Sequence, residues 1–261
     1  MQAVSSEEYA MNPRPNTRLS SNEPAHVHTV SASSFDALAR ENDALHQMND
    51  HLLKFVPETV KRRVLTQPEA PDLAMREGDV SVLFLDMSGY ARLSQQMSLR
   101  ALNALVERYF SRFLDCVYEA DGDVNEIAGD GWMTIFQDAD PLQHPRKAIS
   151  ASLAILAATA ALNREGQEPS LTVHMGLNSG LALVGLTCFK GQHGARCTFT
   201  ARGAMTNLAA RLVDLAAPGQ ILLGPETVRR LGSRYRVQQL GRKRLKNLAE
   251  PIDIACLLGP A

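Results

Sequence analysis

Two aspartates stand where a chain could hold a divalent cation against a polyphosphate. Asp86 closes the apolar run Val80 to Asp86 and is followed by Met87-Ser88-Gly89-Tyr90 and by a helical pattern beginning near Ala91. A carboxylate at the end of a strand, beside a glycine that admits backbone approach, suits a metal and phosphate site. The free N–H groups and dipole of a following helix add to the attraction for an anion. The same residues would equally serve as an ordinary helix N-terminus. Asp130 lies in Gly129-Asp130-Gly131, between the strand patterns Asp123 to Ala128 and Trp132 to Gln137. Asp-Gly is also the commonest tight hairpin turn, so Asp130 carries chemistry only if the fold brings it to Asp86. Two carboxylates brought together would hold Mg²⁺ or Mn²⁺, ions that favour oxygen ligands plus substrate phosphates.

A second group is cationic and amide-bearing. Asn207 and Arg211 are four residues apart in Thr206-Asn207-Leu208-Ala209-Ala210-Arg211, which places them on one helix face. A fixed amide and guanidinium there would orient a sugar hydroxyl and neutralise charge growing on a phosphoryl group. A polar stripe on an amphipathic helix has the same spacing. Lys246, in Arg244-Leu245-Lys246-Asn247-Leu248, is a further cation for phosphate, or a solvated surface lysine.

The elements that must position these groups start after residue 32. Residues 1–33 are rich in Ser, Asn, Pro and His and poor in large apolar residues, the composition of a disordered tail. Phe35, Leu38, Asn42, Leu45, Asn49, Leu52 and Val56 then recur at spacings of three and four, with Leu at each d position and Asn at two a positions. That heptad predicts a coiled-coil dimerisation helix over 34–65, with Ser33 and Asp36 as a capping box and Pro57 as its break. An amphipathic helix lying on its own domain is the alternative. A Pro-containing linker covers 66–76. From residue 77 to 258 strands and helices alternate: helix patterns at Leu93 to Ala120, Pro145 to Asn163, Ala204 to Ala216 and Pro225 to Leu231, and strands at Gln220 to Leu223, Tyr235 to Leu240 and Ile252 to Leu257. Asn178-Ser179-Gly180 predicts a hairpin turn between strands Leu171 to Leu177 and Ala182 to Thr187. The order β-α-β-β-α-β predicts a ferredoxin-like α/β sandwich.

Composition narrows the function classes. Lys plus Arg number 27 against 28 Asp plus Glu, a net charge of −1, so a nucleic-acid coat or polycationic membrane binder is excluded. The uncharged helical run Ile149 to Leu162 is too short to span a bilayer, and Glu7 and Glu8 without an apolar core argue against a secretory signal. Cys116, Cys188, Cys197 and Cys256 form no C-x-x-C pair and read as reduced thiols of a cytoplasmic protein.

Taken together these segments resemble the class III adenylate/guanylate cyclase catalytic domain, from about Glu77 to Leu258. Leu83-Phe84-Leu85-Asp86-Met87-Ser88-Gly89-Tyr90 is similar to its first-strand motif, and Glu126-Ile127-Ala128-Gly129-Asp130-Gly131 to its second metal motif. His174-Met175-Gly176-Leu177-Asn178-Ser179-Gly180 resembles its Gly-Ile-His-Thr-Gly segment. Asn207 to Arg211 resembles its Asn-x-Ala-x-Arg helix, Leu245-Lys246 its phosphate-binding lysine, and Phe55-Val56-Pro57-Glu58 the segment that often precedes the domain. The resemblance implies two Mg²⁺ or Mn²⁺ ions on Asp86, Met87 and Asp130, phosphate contacts from Ser88, Gly89, Tyr90 and Lys246, and Asn207 and Arg211 as catalytic residues. It also implies a homodimer whose active sites take metals from one copy and the Asn/Arg pair from the other. The Gly-Gly-Asp/Glu-Glu-Phe signature of diguanylate cyclases is absent. The metal and Asn/Arg positions are all filled, which argues against a silent cyclase-like module. No sensor pattern precedes the domain, so a regulatory partner is left open.

The resemblance assigns base selection to Glu126 and Thr200. A carboxylate accepts the adjacent N1–H and N2–H of guanine and repels the N1 acceptor of adenine, whereas a threonine hydroxyl donates or accepts. Glu126 therefore favours GTP, while Thr200 leaves ATP, and a pyrimidine triphosphate, open.

Overall fold

A computed structural model describes residues 32–166, 169–246, 248 and 250–261. The predicted tail over 1–33 lies almost wholly outside the described residues. The chain divides into two units, residues 1–50 and 51–261. The helix α1 (Ala32–Leu53) carries Phe35, Leu38, Leu45, Met48 and Leu52 as exposed apolar side chains. It ends three residues before Val56, because Lys54, Phe55 and Val56 close a tight turn onto His51, Leu52 and Leu53. The last a position of the heptad is therefore not helical, and Val56 packs instead with Val60 and Val64 of α2 (Glu58–Thr66).

The second unit is built on β1 (Arg76–Ser88), β2 (Gly122–Ala128), β3 (Gly131–Gln137), β4 (Thr172–Gly191), β5 (Gly194–Arg202), β6 (Ile221–Leu223), β7 (Tyr235–Lys243) and β8 (Ile252–Pro260). The sheet order is β2-β3-β1-β4-β6-β8-β7, with β5 paired to β4. The first four strands have the predicted ferredoxin-like arrangement. Leu83, Leu85 and Met87 of β1 face α4 (Leu99–Glu119) and α5 (Gln143–Arg164), while Val80 and Val82 face Met205 and Ala209 of α6 (Ala204–Leu215). That alternation within one strand, apolar on both faces, is what a sheet covered on both sides requires. Ser98 caps α4 and separates it from α3 (Tyr90–Gln96), so the helix predicted from Leu93 to Ala120 is two. The linker is not free: Leu73 accepts a hydrogen bond from Leu186 N at 2.7 Å. Among the described residues no helix is long and apolar enough to cross a membrane.

Two expectations are corrected. Asn178-Ser179-Gly180 is not a turn but the middle of the 20-residue strand β4. Its polar side chains find tertiary partners: Asn178 Nδ2 donates to Met205 O at 3.0 Å, and Ser179 Oγ lies 2.7 Å from Ser81 Oγ and 2.9 Å from Thr227 Oγ1. The hairpin falls instead at Gln192-His193, between Gly191 and Gly194. Cys188 and Cys197 face each other across that hairpin and form a disulfide, so they are not the reduced thiols expected, whereas Cys116 and Cys256 are free and buried.

His144 on α5 ties both sides of this core together. Its Nε2 is 3.1 Å from Arg230 Nη1 on α7 (Pro225–Leu231), and its Nδ1 is 2.8 Å from Ser81 Oγ. Nε2 also lies 3.6 Å from Asp79 Oδ1, so the ring sits among a guanidinium, a carboxylate and a hydroxyl. Burial holds His144 below the ordinary imidazole pKa; Asp79 pulls the other way, Arg230 reinforces the shift, and Asp138 opposes it more weakly. The unfolded chain therefore binds this proton first, and stability is lost as pH falls below about 6.5. Urea unfolding between pH 7.5 and 5 is expected to show a wild-type loss of up to about 1.4 kcal/mol per pH unit from this group, absent in His144→Gln. Parallel slopes in the two proteins would remove His144 from the pH response.

Candidate active site

The end of β1, the β2–β3 hairpin and the end of α6 enclose a cavity of about 290 Å³, lined by Phe84, Asp86, Glu126, Gly131, Met133 and Asp214 among others. Antiparallel register sets the first two of these elements side by side: Asp86 pairs with Gly131. Met87 N donates to Asp130 O at 3.1 Å, which fixes the hairpin tip against the strand end. Glycine is required at 131, because a Cβ there would stand 2.8 Å from Leu85 O and 3.2 Å from Asp86 Oδ1. At the tip, Gly129 takes φ +62°, the left-handed conformation that favours glycine. Gly89 does the same at φ +85° as the N-cap of α3.

The third wall depends on how closely α6 approaches β4. Met205, Leu208, Ala209, Leu212 and Val213 form its buried stripe. Gly176 beneath it leaves room for the backbone of Ala209 and Val213, which any Cβ would strike. Asn207, Arg211 and Asp214 occupy the opposite, polar side at i, i+4 and i+7. Asn207 is exposed, and Arg211 Nη1 donates to Asp214 Oδ2 at 2.7 Å.

Asp86 is half-buried, and its pKa is raised, first by burial and then by the Asp130 carboxylate. His174 and the Met87 N–H oppose this rise, and Asp214 adds to it. Two carboxylates that repel each other through a partly buried site are a donor set for a hard cation. Among the described residues no cluster of three His, Cys, Asp or Glu completes a cation cage. Met87 is buried as a whole residue and does not line the cavity.

The predicted residues divide accordingly. Asp86 and Glu126 line one cavity, and Asp130 is bonded to its edge. Asn207, Arg211, Thr200 and Lys246 do not line it. Thr200 is buried on β5 opposite Gly185, and Lys246 is exposed in a turn. Ser88 Oγ is 2.8 Å from His174 Nδ1, while Tyr90 packs against the α4–α5 core. Two site residues escaped sequence reasoning. His174, cross-strand partner of Asp86, places Nε2 at 3.5 Å from Asp86 Oδ2. Asp214 could have been found from its i+3 spacing to Arg211.

The model of the adenylate and guanylate cyclase catalytic domain matches residues 73–254. An uncharacterized protein of Mycobacterium tuberculosis is 30% identical over 164 residues, 62% of this chain, and the match spans only 27% of that relative's length. Among solved structures, the adenylyl cyclase CyaB from P. aeruginosa is similar at 24% identity and a TM-score of 0.64, over 71% of this chain and 96% of that one. The guanylyl cyclase Cya2 is similar at 20% identity and a TM-score of 0.65, over 72% of this chain and 96% of that one. At these identities the structures establish the fold alone.

Proposed function

We propose, from the premise that the chain belongs to the adenylate and guanylate cyclase catalytic domain family, that it is a homodimeric guanylate cyclase converting GTP to 3′,5′-cyclic GMP and pyrophosphate. The observation that carries the substrate choice is Glu126 lining the same cavity as Asp86. Its carboxylate accepts from guanine N1–H and N2–H and meets only lone-pair repulsion from adenine N1. Asp86, Asp130 and the Met87 main-chain oxygen would hold two Mg²⁺ or Mn²⁺ ions, whose Lewis acidity polarises the ribose 3′-hydroxyl and the α-phosphate. The 3′-oxygen gives up its proton to solvent water and forms the bond to the α-phosphorus, and the bond from that phosphorus to the bridging oxygen breaks, releasing pyrophosphate. Ser88, Gly89 and Tyr90 at the head of α3, with Lys246, hold the phosphates in line.

A second copy supplies Asn207 and Arg211, a reading supported by their not lining the carboxylate cavity, whose wall Arg211 meets only through Asp214. There Asn207 orients the ribose and Arg211 neutralises charge in the transition state. Exposed Ile127, Leu181, Leu183 and Phe189 give such a dimer apolar surface to cover. The apolar side chains of α1, with Asn42 and Asn49 at a positions, favour a parallel in-register pair. The Thr200 hydroxyl, which donates or accepts, leaves a second reading open, ATP to cyclic AMP.

A product assay with GTP, ATP, CTP and UTP in separate reactions tests this. Cyclic GMP is the expected main product, and Glu126→Lys is expected to move the GTP/ATP ratio of kcat/KM toward ATP by roughly 10 to 10²-fold. An unchanged ratio would take Glu126 out of base selection, and cyclic AMP from the wild type would overturn the substrate.

A further inference from the structure

Glu126 reaches the cavity because β2 is not regular. On β3, Met133 and Ile135 belong to the α6-side cluster, and Trp132 and Phe136 to the α4–α5 side. Asp123 pairs with Ile135 and Val124 with Thr134, but the register then shifts and Glu126 pairs with Met133. Asn125 is the extra residue. In an unbroken strand Glu126 would share the face of Val124, which packs against the α4–α5 core. The one-residue bulge reverses this and turns Glu126 to the α6 side, where Phe84, Asp86 and Met133 line the cavity.

The Asn125 side chain closes that bulge. Its Oδ1 accepts from Ile135 N at 3.1 Å, a bond that a β2 carbonyl would make in an unbroken ladder. Its Nδ2 donates to Asp123 Oδ2 at 3.4 Å. Asp123 is buried, and its two oxygens also accept from Glu58 N and Thr59 N at the start of α2, each at 2.9 Å. An acceptor on one side and a donor on the other, at this reach, describe a carboxamide and no other short side chain.

We infer that Asn125 is a specificity-positioning residue, which holds the β2 bulge in register so that Glu126 meets the base, with Asp123 and the head of α2 as its anchor. The inference rests on the reading of Glu126 as base selector. It assigns part of the discrimination to a residue that touches no substrate.

A double-mutant cycle tests it, read as the ratio of dissociation constants for 3′-deoxy-GTP and 3′-deoxy-ATP, which bind without turnover. Asn125→Ala is expected to lower the preference for the guanine nucleotide about 10-fold at an unchanged fold by circular dichroism. Glu126→Ala is expected to lower it at least as far, and the double variant no further than Glu126→Ala alone, because both act through one contact. If Asn125→Ala does not fold, Asn125→Ser supplies the comparison, since its hydroxyl is too short to bridge both partners. A folded Asn125 variant with full preference beside an impaired Glu126→Ala would overturn the inference and leave the base-selector reading standing. Additive losses would overturn it as well. An unimpaired Glu126→Ala would instead bring down the base-selector reading, and the inference with it.

Discussion

Replacing Asp86 by Asn is expected to cut cyclic-nucleotide formation by on the order of 10³-fold or more, while the thermal midpoint of the cation-free protein stays level or rises. Burial and Asp130 both disfavour the charged Asp86 carboxylate, so the native fold carries a repulsion that an isosteric amide removes. Nothing in the packing is lost, since the register of β1 with β3 is set by main-chain bonds and by Gly131. The amide keeps the shape of the carboxylate and loses the charge that a divalent cation needs. Turnover and melting curves measured on one preparation separate the two effects. Turnover within a few-fold of wild type would remove Asp86 from cation binding. A collapse of the melting transition would mean that the carboxylate is a structural group.

The repulsion at Asp86 was half legible in the sequence. Strand-end Asp86 and hairpin-tip Asp130 are both local signals, and the β-α-β-β-α-β order is enough to put their strands side by side. The face on which Glu126 emerges is a different matter. Period-two alternation from Val124 gives the wrong side of the sheet, and only the bulge at Asn125 corrects it. The bulge is held by Ile135 and, through Asp123, by residues more than sixty positions away.

Asn178-Ser179-Gly180 misled for a related reason. These residue types favour turns when they bond their own backbone, and here the Asn178 Nδ2 bonds Met205 and the Ser179 hydroxyl bonds Ser81 and Thr227 on other elements. The disulfide follows from the same misplacement. Cys188 and Cys197 are equidistant from Gln192-His193, so they face each other once the hairpin is set there and not at Ser179. His174 was hidden by it too, because its cross-strand neighbour is known only when β4 runs unbroken beside β1.

The proposed supply of Asn207 and Arg211 by a second copy has a quantitative consequence. Asp86→Asn and Arg211→Ala should each be nearly inactive alone, one lacking the cation site and the other the transition-state cation. In a symmetric dimer each site draws one part from each copy. A heterodimer of the two variants then carries one site with both lesions and one with neither. Equal mixing with free exchange makes half of all dimers heterodimers, and half of their sites are intact. The expected recovery is about a quarter of wild-type turnover per chain. The recovery should rise with incubation time as subunits exchange, and it should vanish when the two variants are kept apart. If the Asn/Arg pair served the cavity of its own chain, no mixture would hold an intact site, and turnover would stay at the level of the single variants however long they were incubated. Arg211 also releases Asp214 when it is replaced, which leaves a further carboxylate facing Asp86. Arg211→Lys retains a cation for Asp214 without the planar fork, so it should complement Asp86→Asn as well as Arg211→Ala does while being slow alone. Agreement between the two mixtures would assign the loss to the guanidinium acting across the dimer, and not to the carboxylate that its removal exposes.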